Sequence, residues 1–112
     1  MHPPREAIEL SNILHALGDP IRLAIILSLA DGEARACCAA LTQELPKSTL
    51  SNHFRVLRDA GLIHSRKEGV ALMNTLRRDD VNARFPGLLD AILENSRRIA
   101  CSMDLVALRQ VG

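Results

Sequence analysis

Residues 48–63 have the sequence STLSNHFRVLRDAGLI, and this stretch decides the fold. Leu50, Phe54 and Leu57 are spaced at i, i+4 and i+7, which places three apolar side chains on one face of a helix. The polar and charged residues of the opposite face are Ser48, Ser51, Asn52, Arg55 and Asp59. Gly61 follows at the position where glycine commonly ends a helix. The stretch therefore predicts an amphipathic helix over residues 48–60 with a polar outer face.

Another helix is predicted just upstream, over about residues 36–44, and Pro46 separates the two. Two helices joined by a short turn form a helix-turn-helix, here over about residues 36–60, whose second helix is narrow enough to lie in a DNA major groove. The residues predicted to contact phosphates or base edges from this segment are Lys47, Ser48, Thr49, Ser51, Asn52 and Arg55. Arg55 can bond a guanine through two N–H groups.

After Gly61 the apolar pattern changes from the period of a helix to that of strands. Residues 62–66 and 70–76 are predicted to be two strands of a hairpin over about residues 62–76. The connection between them is Lys67-Glu68-Gly69, whose glycine can adopt the positive φ of a tight turn. Arg66 and Lys67 lie near the tip of this hairpin, where we expect them to contact the DNA backbone.

Two further helices are predicted in the first 30 residues. The first covers about residues 4–17, because Pro3 and Pro4 can start a helix and apolar residues follow at helical spacing. These apolar residues are Leu10, Ile13, Leu14 and Leu17. Asp19 and Pro20 then supply an acidic N-cap and a first-turn proline. Residues 21–30 are apolar on nearly every face, which predicts a buried helix.

The last helical stretch is predicted over about residues 80–108, with Asp79-Asp80 as its N-cap and an interruption at Pro86-Gly87. Its apolar seam consists of Leu89, Ile92, Ile99, Met103 and Val106, with Ser96 in the gap. The seam is longer than so small a core needs, which favours pairing with a second copy of the chain. A stripe buried within one chain is the alternative.

Composition places these elements in one domain over residues 1–112, mainly α with a small β-hairpin. The net charge is only +1, yet residues 47–78 carry seven basic and two acidic side chains while the remainder carries seven basic and eleven acidic ones. Charge gathered in this way is typical of a DNA-binding surface, and an ordinary solvated helix beside a hairpin is the alternative. The two aromatic residues are too few for a protein that stacks single-stranded bases.

Two stretches carry a resemblance to a known family: residues 17–23, with the sequence LGDPIRL, and residues 48–63. Over about residues 7–78 the chain resembles the ArsR/SmtB family of winged-helix transcriptional repressors. The resemblance implies a homodimer through the first and last helices, a recognition helix in the major groove of a two-fold-symmetric operator in double-stranded DNA, and a hairpin that serves as the wing. By the resemblance, the groove-facing residues are Ser48, Thr49, Ser51, Asn52 and Arg55, and the wing residues are Arg66 and Lys67. His53 matches a family histidine that either supports the helix or contacts phosphate.

Three cysteines, Cys37, Cys38 and Cys101, are candidates for a sensor. In arsenic-responsive members of the family a Cys-x-Cys pair lies near the start of the third helix, but here Arg35 occupies the first place and Cys37 the second. No cofactor is required. Three thiolates suit arsenic(III) or another soft metal, and two distant thiols suit a regulatory disulfide or persulfide. Packing as small apolar residues is the alternative. No histidine is expected to bind a metal, and His2 is expected to lie in a frayed terminus.

Several classes of protein are disfavoured by what the sequence lacks. It has no Gly-rich phosphate loop, no His-Glu-x-x-His and no Gly-x-Ser-x-Gly, so an enzyme is not expected. No uncharged run approaches the roughly 20 residues that span a bilayer, and no leader is recognisable, which predicts a cytoplasmic protein without a membrane partner. A repressor without a thiol sensor, and a dimeric module that binds protein, remain the alternatives. The second is disfavoured because the polar residues of the recognition helix are present.

Overall fold

A computed structural model describes residues 2–30 and 45–102 of the chain. Within them the α-helices are α1 (Leu10–Leu17), α2 (Pro20–Ala30), α3 (Lys47–Ala60), α4 (Arg78–Arg84) and α5 (Leu88–Ser102), and the strands are β1 (Ile63–Glu68) and β2 (Ala71–Leu76). The predicted fold class, mainly helical with a small hairpin in a winged helix-turn-helix, is confirmed. The helix predicted at about residues 36–44 lies outside the described residues, and dimerisation stays a prediction.

The predicted start of α2 and the predicted end of α3 are confirmed in detail. Asp19 Oδ1 accepts the backbone N–H groups of Ile21 at 2.8 Å and Arg22 at 3.1 Å, so it caps the helix that begins at Pro20. At the end of α3, Gly61 has a φ of +88°. Its N–H bonds the Arg58 carbonyl at 3.1 Å, and the next N–H along the chain bonds the Leu57 carbonyl at 3.0 Å. This pair of bonds is a Schellman motif, which requires the left-handed residue that glycine supplies.

The core is formed by apolar side chains from each of the five described α-helices, from Ile8 and from the base of the hairpin. Its fully buried large members are Ile8, Ile13, Ile26, Leu27, Leu57, Leu62, Ile63, Val81, Leu89 and Leu93. The centre of α2 is buried on all sides, as its uniform hydropathy predicted. Within the described residues no single helix is long and apolar enough to cross a membrane, and α1 and α2, which pass that test only together, are bent by 102°.

The first helix is shorter than predicted and buries a different face. A 3-10 turn at Arg5–Ala7 precedes α1, and the extended backbone of Ile8 and Glu9 separates the two. Leu10 and Leu14 are 44% and 49% exposed, while α1 buries Ile13, Ala16 and Leu17. The helix cannot start at residue 4 because the chain leaves helical geometry to insert the Ile8 side chain beside Gly61.

The last stretch is two helices, because the interruption predicted at Pro86-Gly87 separates α4 from α5. Arg77 occupies the N-cap position of α4, so the predicted cap at Asp79-Asp80 is wrong, and both carboxylates lie in the first turn. Of the predicted seam, Leu89 is buried and Ile92 partly buried. The side chain of Ile99, together with Met103 and Val106, lies outside the described residues. The seam prediction also missed Leu93, which is buried.

Candidate nucleic-acid interface

Helix α3 packs through one face and leaves the other to solvent. Leu57 is fully buried, and Leu50 and Phe54 are partly buried against the core. All eight residues predicted to contact DNA are exposed, namely Lys47, Ser48, Thr49, Ser51, Asn52 and Arg55 on α3, and Arg66 and Lys67 on the hairpin. Exposure is what a contact with DNA requires, while the contacts themselves stay predictions.

Two side chains of the exposed face bond to each other. Nη2 of Arg55 donates to Oδ1 of Asn52 at 2.7 Å, one helical turn back along α3. The bond holds the guanidinium along the outer face of the helix, and among the described residues it is the one side-chain bond that Arg55 forms. A planar cation held in this way suits the paired acceptors of guanine in a major groove.

Arg22 of α2 connects α3 to the preceding helices. Its Nε donates to the Ala16 carbonyl at 2.7 Å and its Nη2 to the His15 carbonyl at 3.4 Å, at the end of α1. Its Nη1 lies 3.2 Å from Nδ1 of His53, which is partly buried. Of the two roles left open for His53, this contact provides helix support. Sequence reasoning missed Arg22, although a lone cation in an otherwise apolar helix was the available signal.

The hairpin has a tighter turn than predicted. Strand β1 continues to Glu68, which pairs with Ala71, so the turn consists of Gly69 and Val70 rather than residues 67–69. Gly69 has a φ of +63°, and no residue other than glycine has a positive φ within the described chain. A positive-φ glycine at the first position of a two-residue turn is typical of a type II′ turn, whose twist matches that of paired strands. The hydrogen-bonded pairing of β1 with β2 extends from Ile63 and Leu76 to Glu68 and Ala71, the residues that flank the turn.

At its base the hairpin is bonded to α3. Nη1 of Arg58 donates to Oγ of Ser65 at 3.3 Å, and that hydroxyl donates to Oδ1 of Asn74 at 2.6 Å. The contact joins the helix to both strands, because Ser65 lies in β1 and Asn74 lies opposite it in β2. It therefore helps to fix the angle between the hairpin and α3, which sequence reasoning did not predict.

The positive charge of residues 47–78 divides between the surface and internal contacts. Arg77 is 11% exposed and pairs with Asp80 at 2.9 Å, and Arg58 is partly buried on Ser65. Arg66 pairs with Glu68 on the same strand. Lys67 forms no ion pair with any of the described residues. The charge count therefore overstates what is available to a ligand, since these contacts engage three of the seven cations.

Comparisons with known proteins agree with this geometry. The family model described as "Bacterial regulatory protein, arsR family" matches residues 19–65. An uncharacterized HTH-type transcriptional regulator of Bacillus subtilis, YceK, is 34% identical over 84 residues, which are 73% of this chain and 84% of the relative. The arsenical resistance operon repressor of Staphylococcus xylosus is 36% identical over 96 residues, 83% of this chain and 88% of the relative. The chain belongs to the ArsR family.

As an ArsR-family protein, the chain is a DNA-binding transcriptional regulator with a helix-turn-helix. Helix α3 corresponds to the predicted recognition helix, and the hairpin of β1 and β2 corresponds to the predicted wing. Another relative, the HTH-type transcriptional repressor SmtB of Mycobacterium tuberculosis, is 34% identical over 70 residues, 60% of this chain and half of the relative. The matched region from residue 19 to residue 65 includes α2, α3 and the start of the wing. It excludes α1, α4 and α5.

The cysteines of this ArsR-family protein lie outside what the structure tests. Cys37 and Cys38 fall outside the described residues, as does the side chain of Cys101. In the part of the chain that the structure describes, no group of three His, Cys, Asp or Glu side chains is placed to hold a metal ion.

Proposed function

We propose that this ArsR-family protein is a homodimeric repressor that binds a two-fold-symmetric operator, with one recognition helix per protomer in the major groove. The observation that carries the proposal is the division of α3 into a packed apolar face and a continuous exposed polar face. Two such helices bind half-sites one helical turn apart, about 34 Å along the duplex. The wing then lies near the backbone, where the Lys67 ammonium can neutralise a phosphate.

The second copy is supported by an apolar surface on α1. Leu10 and Leu14 lie one turn apart, and each leaves nearly half of its surface in water. A pair of large apolar side chains on one helix face favours burial against a partner. Pairing through the first and last helices is the arrangement that the family resemblance implies. Sedimentation equilibrium of the full chain is expected to give a dimer mass, and Leu10→Glu and Leu14→Glu are each expected to raise the fraction of monomer.

The experiment that tests operator binding is fluorescence anisotropy of labelled DNA from upstream of the gene, titrated with fully reduced protein. We expect saturable binding that is at least 10³-fold tighter than binding to random DNA of equal length at the same salt concentration. Equal affinity for both DNAs, repeated with other candidate sites, would contradict the proposal. It would favour a module that binds protein instead.

The wing is expected to contribute through charge rather than through base recognition. Lys67→Ala should weaken binding to operator and random DNA alike, and should lower the slope of log K against log salt by about one unit, because one phosphate contact is lost. Arg66→Ala is the matched control, since its guanidinium is paired with Glu68 and should release fewer counterions. The measurement is a titration at four or more salt concentrations. An unaltered slope for Lys67→Ala would exclude this phosphate contact.

We also propose that cysteine chemistry releases the repressor from DNA, with Cys37, Cys38 and Cys101 as the thiols. The relative from Staphylococcus xylosus is named an arsenical resistance operon repressor, so arsenite is the first agent to test, with a persulfide donor as the second. Three thiolates bind a trigonal soft ion, and two form a disulfide or persulfide bridge.

The expected result is loss of operator binding when either agent is added to the reduced protein. Single Cys→Ser variants at the three positions should all bind the operator like the parent before treatment. Afterwards all three should resist an agent that binds three thiolates, and two of the three should resist an agent that bridges two thiols. If all three variants respond like the parent, the thiols are packing residues and the repressor has no thiol sensor.

A further inference from the structure

The segment before α1 is held across the base of the wing. We call residues 2–8 the strap. Hydrogen bonds at four of its residues anchor it. Nε2 of His2 accepts from the Ser65 N–H at 3.0 Å, and the Pro3 carbonyl accepts from Arg77 at 2.7 Å. Arg5 donates to Asp80 at 2.8 Å, and the Ile8 carbonyl accepts from Arg84 at 2.6 Å. The expectation of a frayed terminus at His2 is therefore wrong, because distant elements bind the strap along its length.

Ser65 is the residue at which the strap, α3 and the wing meet. Its N–H donates to His2, while its hydroxyl accepts from Arg58 and donates to Asn74. One residue thus bonds three other parts of the chain, and the strap is 63 positions away from it in sequence. Since Ser65 is the third residue of β1, in the half of the strand nearer the core, a change in any of these bonds acts on the direction in which the wing leaves the core.

The bond to Ser65 requires that His2 be uncharged. An imidazole nitrogen accepts a hydrogen bond only when it carries no proton, and both nitrogens are protonated in the cation. The His2 ring also stacks on the ring of His64, with centroids 4.3 Å apart. A positive charge on His2 would be repelled by the cations of Arg58 and Arg77. The carboxylate of Asp80 does not offset this repulsion, because it is already bonded to Arg5 and Arg77.

We propose that His2 is a positioning residue for the wing. Through the bond from the Ser65 N–H, neutral His2 fixes the base of β1, and protonation of His2 releases the strap from the wing. This step concerns the protein alone. Its consequence for DNA, a weaker contribution of the wing to binding, rests on the proposed function.

The acid range of the release follows from the surroundings of His2. Partial burial first, then the charges of His64, Arg58 and Arg77, hold the pKa of His2 below its ordinary value of 6.5. The neutral form is therefore favoured by folding. The contribution of His2 to stability is complete above pH 6.5 and is lost as the pH falls through the lower pKa of the folded state.

A second anchor is released only in stronger acid. Hydrogen bonds from Arg5 and then Arg77 hold the pKa of Asp80 below its ordinary value of 3.8. Its contribution is present above pH 3.8 and is lost as the pH falls through the folded-state pKa. Between these two ranges the strap is detached from Ser65 and still bonded to α4, so the release of the wing is a local event.

The first test measures amide exchange of Ser65 by NMR on the full chain from pH 5 to 8, corrected for the intrinsic pH dependence of exchange. In the parent, protection should fall with acid. In His2→Ala, exchange should be faster by roughly 2- to 10-fold at pH 7.5, as expected for one lost hydrogen bond. His2→Gln is the matched control, because its amide oxygen can accept the same bond without titrating, and its protection should be insensitive to pH.

The second test separates positioning from general stability by a double-mutant cycle on DNA binding. If His2 fixes the wing, the fold loss of DNA affinity caused by Lys67→Ala should be less than about half as large in the His2→Ala background as in the parent. The fold loss of DNA affinity caused by Arg55→Ala should be the same in both backgrounds. A general loss of folding would reduce both alike.

Three outcomes overturn the proposal: Ser65 protection that His2→Ala leaves unchanged, protection in the parent that does not vary with pH, or equal Lys67 effects with and without His2. Failure of the proposed function gives a different result. In that case no variant distinguishes operator from random DNA, while the exchange of Ser65 still responds to His2.

Discussion

Gly61→Ala is expected to destabilise the fold by about 2–4 kcal/mol, the sum of a strained backbone and a steric overlap. The residue has a φ of +88°, which costs an alanine about 1–2 kcal/mol. A Cβ at this position would lie 2.6 Å from Cγ1 and 2.9 Å from Cδ1 of Ile8, which is 1% exposed. Ile8 cannot move aside without leaving the core, so the overlap adds a further cost. The measurement is the urea unfolding midpoint at one fixed protein concentration.

The chain offers a matched control for this prediction. Gly69 in the turn of the wing also has a positive φ, +63°, but a Cβ there would meet nothing within 4 Å. Gly69→Ala should therefore cost only the backbone strain, about 1–2 kcal/mol. The difference between the two variants isolates the packing of Ile8 against Gly61. Equal losses would show that this packing contributes nothing, and a smaller loss in Gly61→Ala when Ile8→Ala is also present would support it.

Arg55→Ala is expected to weaken operator binding by roughly 1–3 kcal/mol, which is about 5- to 150-fold, with a smaller effect on random DNA. The reason is the planar guanidinium on the outer face of α3. Its Nη2 donates a hydrogen bond to Oδ1 of Asn52 at 2.7 Å, so it is oriented before DNA is bound. Loss of a side chain that bonds two acceptors of one base removes discrimination as well as attraction. The measurement is the ratio of operator to random affinity at one salt concentration.

Arg55→Lys separates base recognition from charge. Lysine keeps the positive charge and the attraction to phosphate, yet lacks the planar fork that bonds two acceptors at once. The ratio of operator to random affinity should therefore fall nearly as far as in Arg55→Ala, while the salt dependence stays close to that of the parent. Full specificity in Arg55→Lys would assign Arg55 to the phosphate backbone instead.

Patterns of residues within a few positions of one another were sufficient to predict α2, α3 and the presence of the hairpin. The N-cap at Asp19, the left-handed Gly61 and the apolar spacing of Leu50, Phe54 and Leu57 are encoded by residues a few positions apart. Such signals depend on hydrogen bonds and periodicities within one element. For the same reason the polar face of α3 was predicted with the residues that the structure exposes.

The predictions for the first helix and for the charge pattern were less accurate, because each depends on remote partners. The apolar spacing of α1 predicted that four side chains share one buried face. In the structure Ile13 and Leu17 are buried, whereas Leu10 and Leu14 are exposed. A count of basic residues treated Arg77 as available, although it is bonded to Asp80 and to the Pro3 carbonyl. Charge in a sequence is a property of residues, whereas its availability is a property of their contacts.

By itself, then, the sequence determined a winged helix-turn-helix of the ArsR family and the side chains that its recognition helix presents. Only the tertiary structure decided how that helix and the wing are held. The strap bonds residues that lie 63 to 76 positions away in the chain, and no spacing rule reports such contacts. They form because the folded core brings the strap beside the base of the wing, where His2 meets Ser65 and Ile8 fills the space that Gly61 leaves.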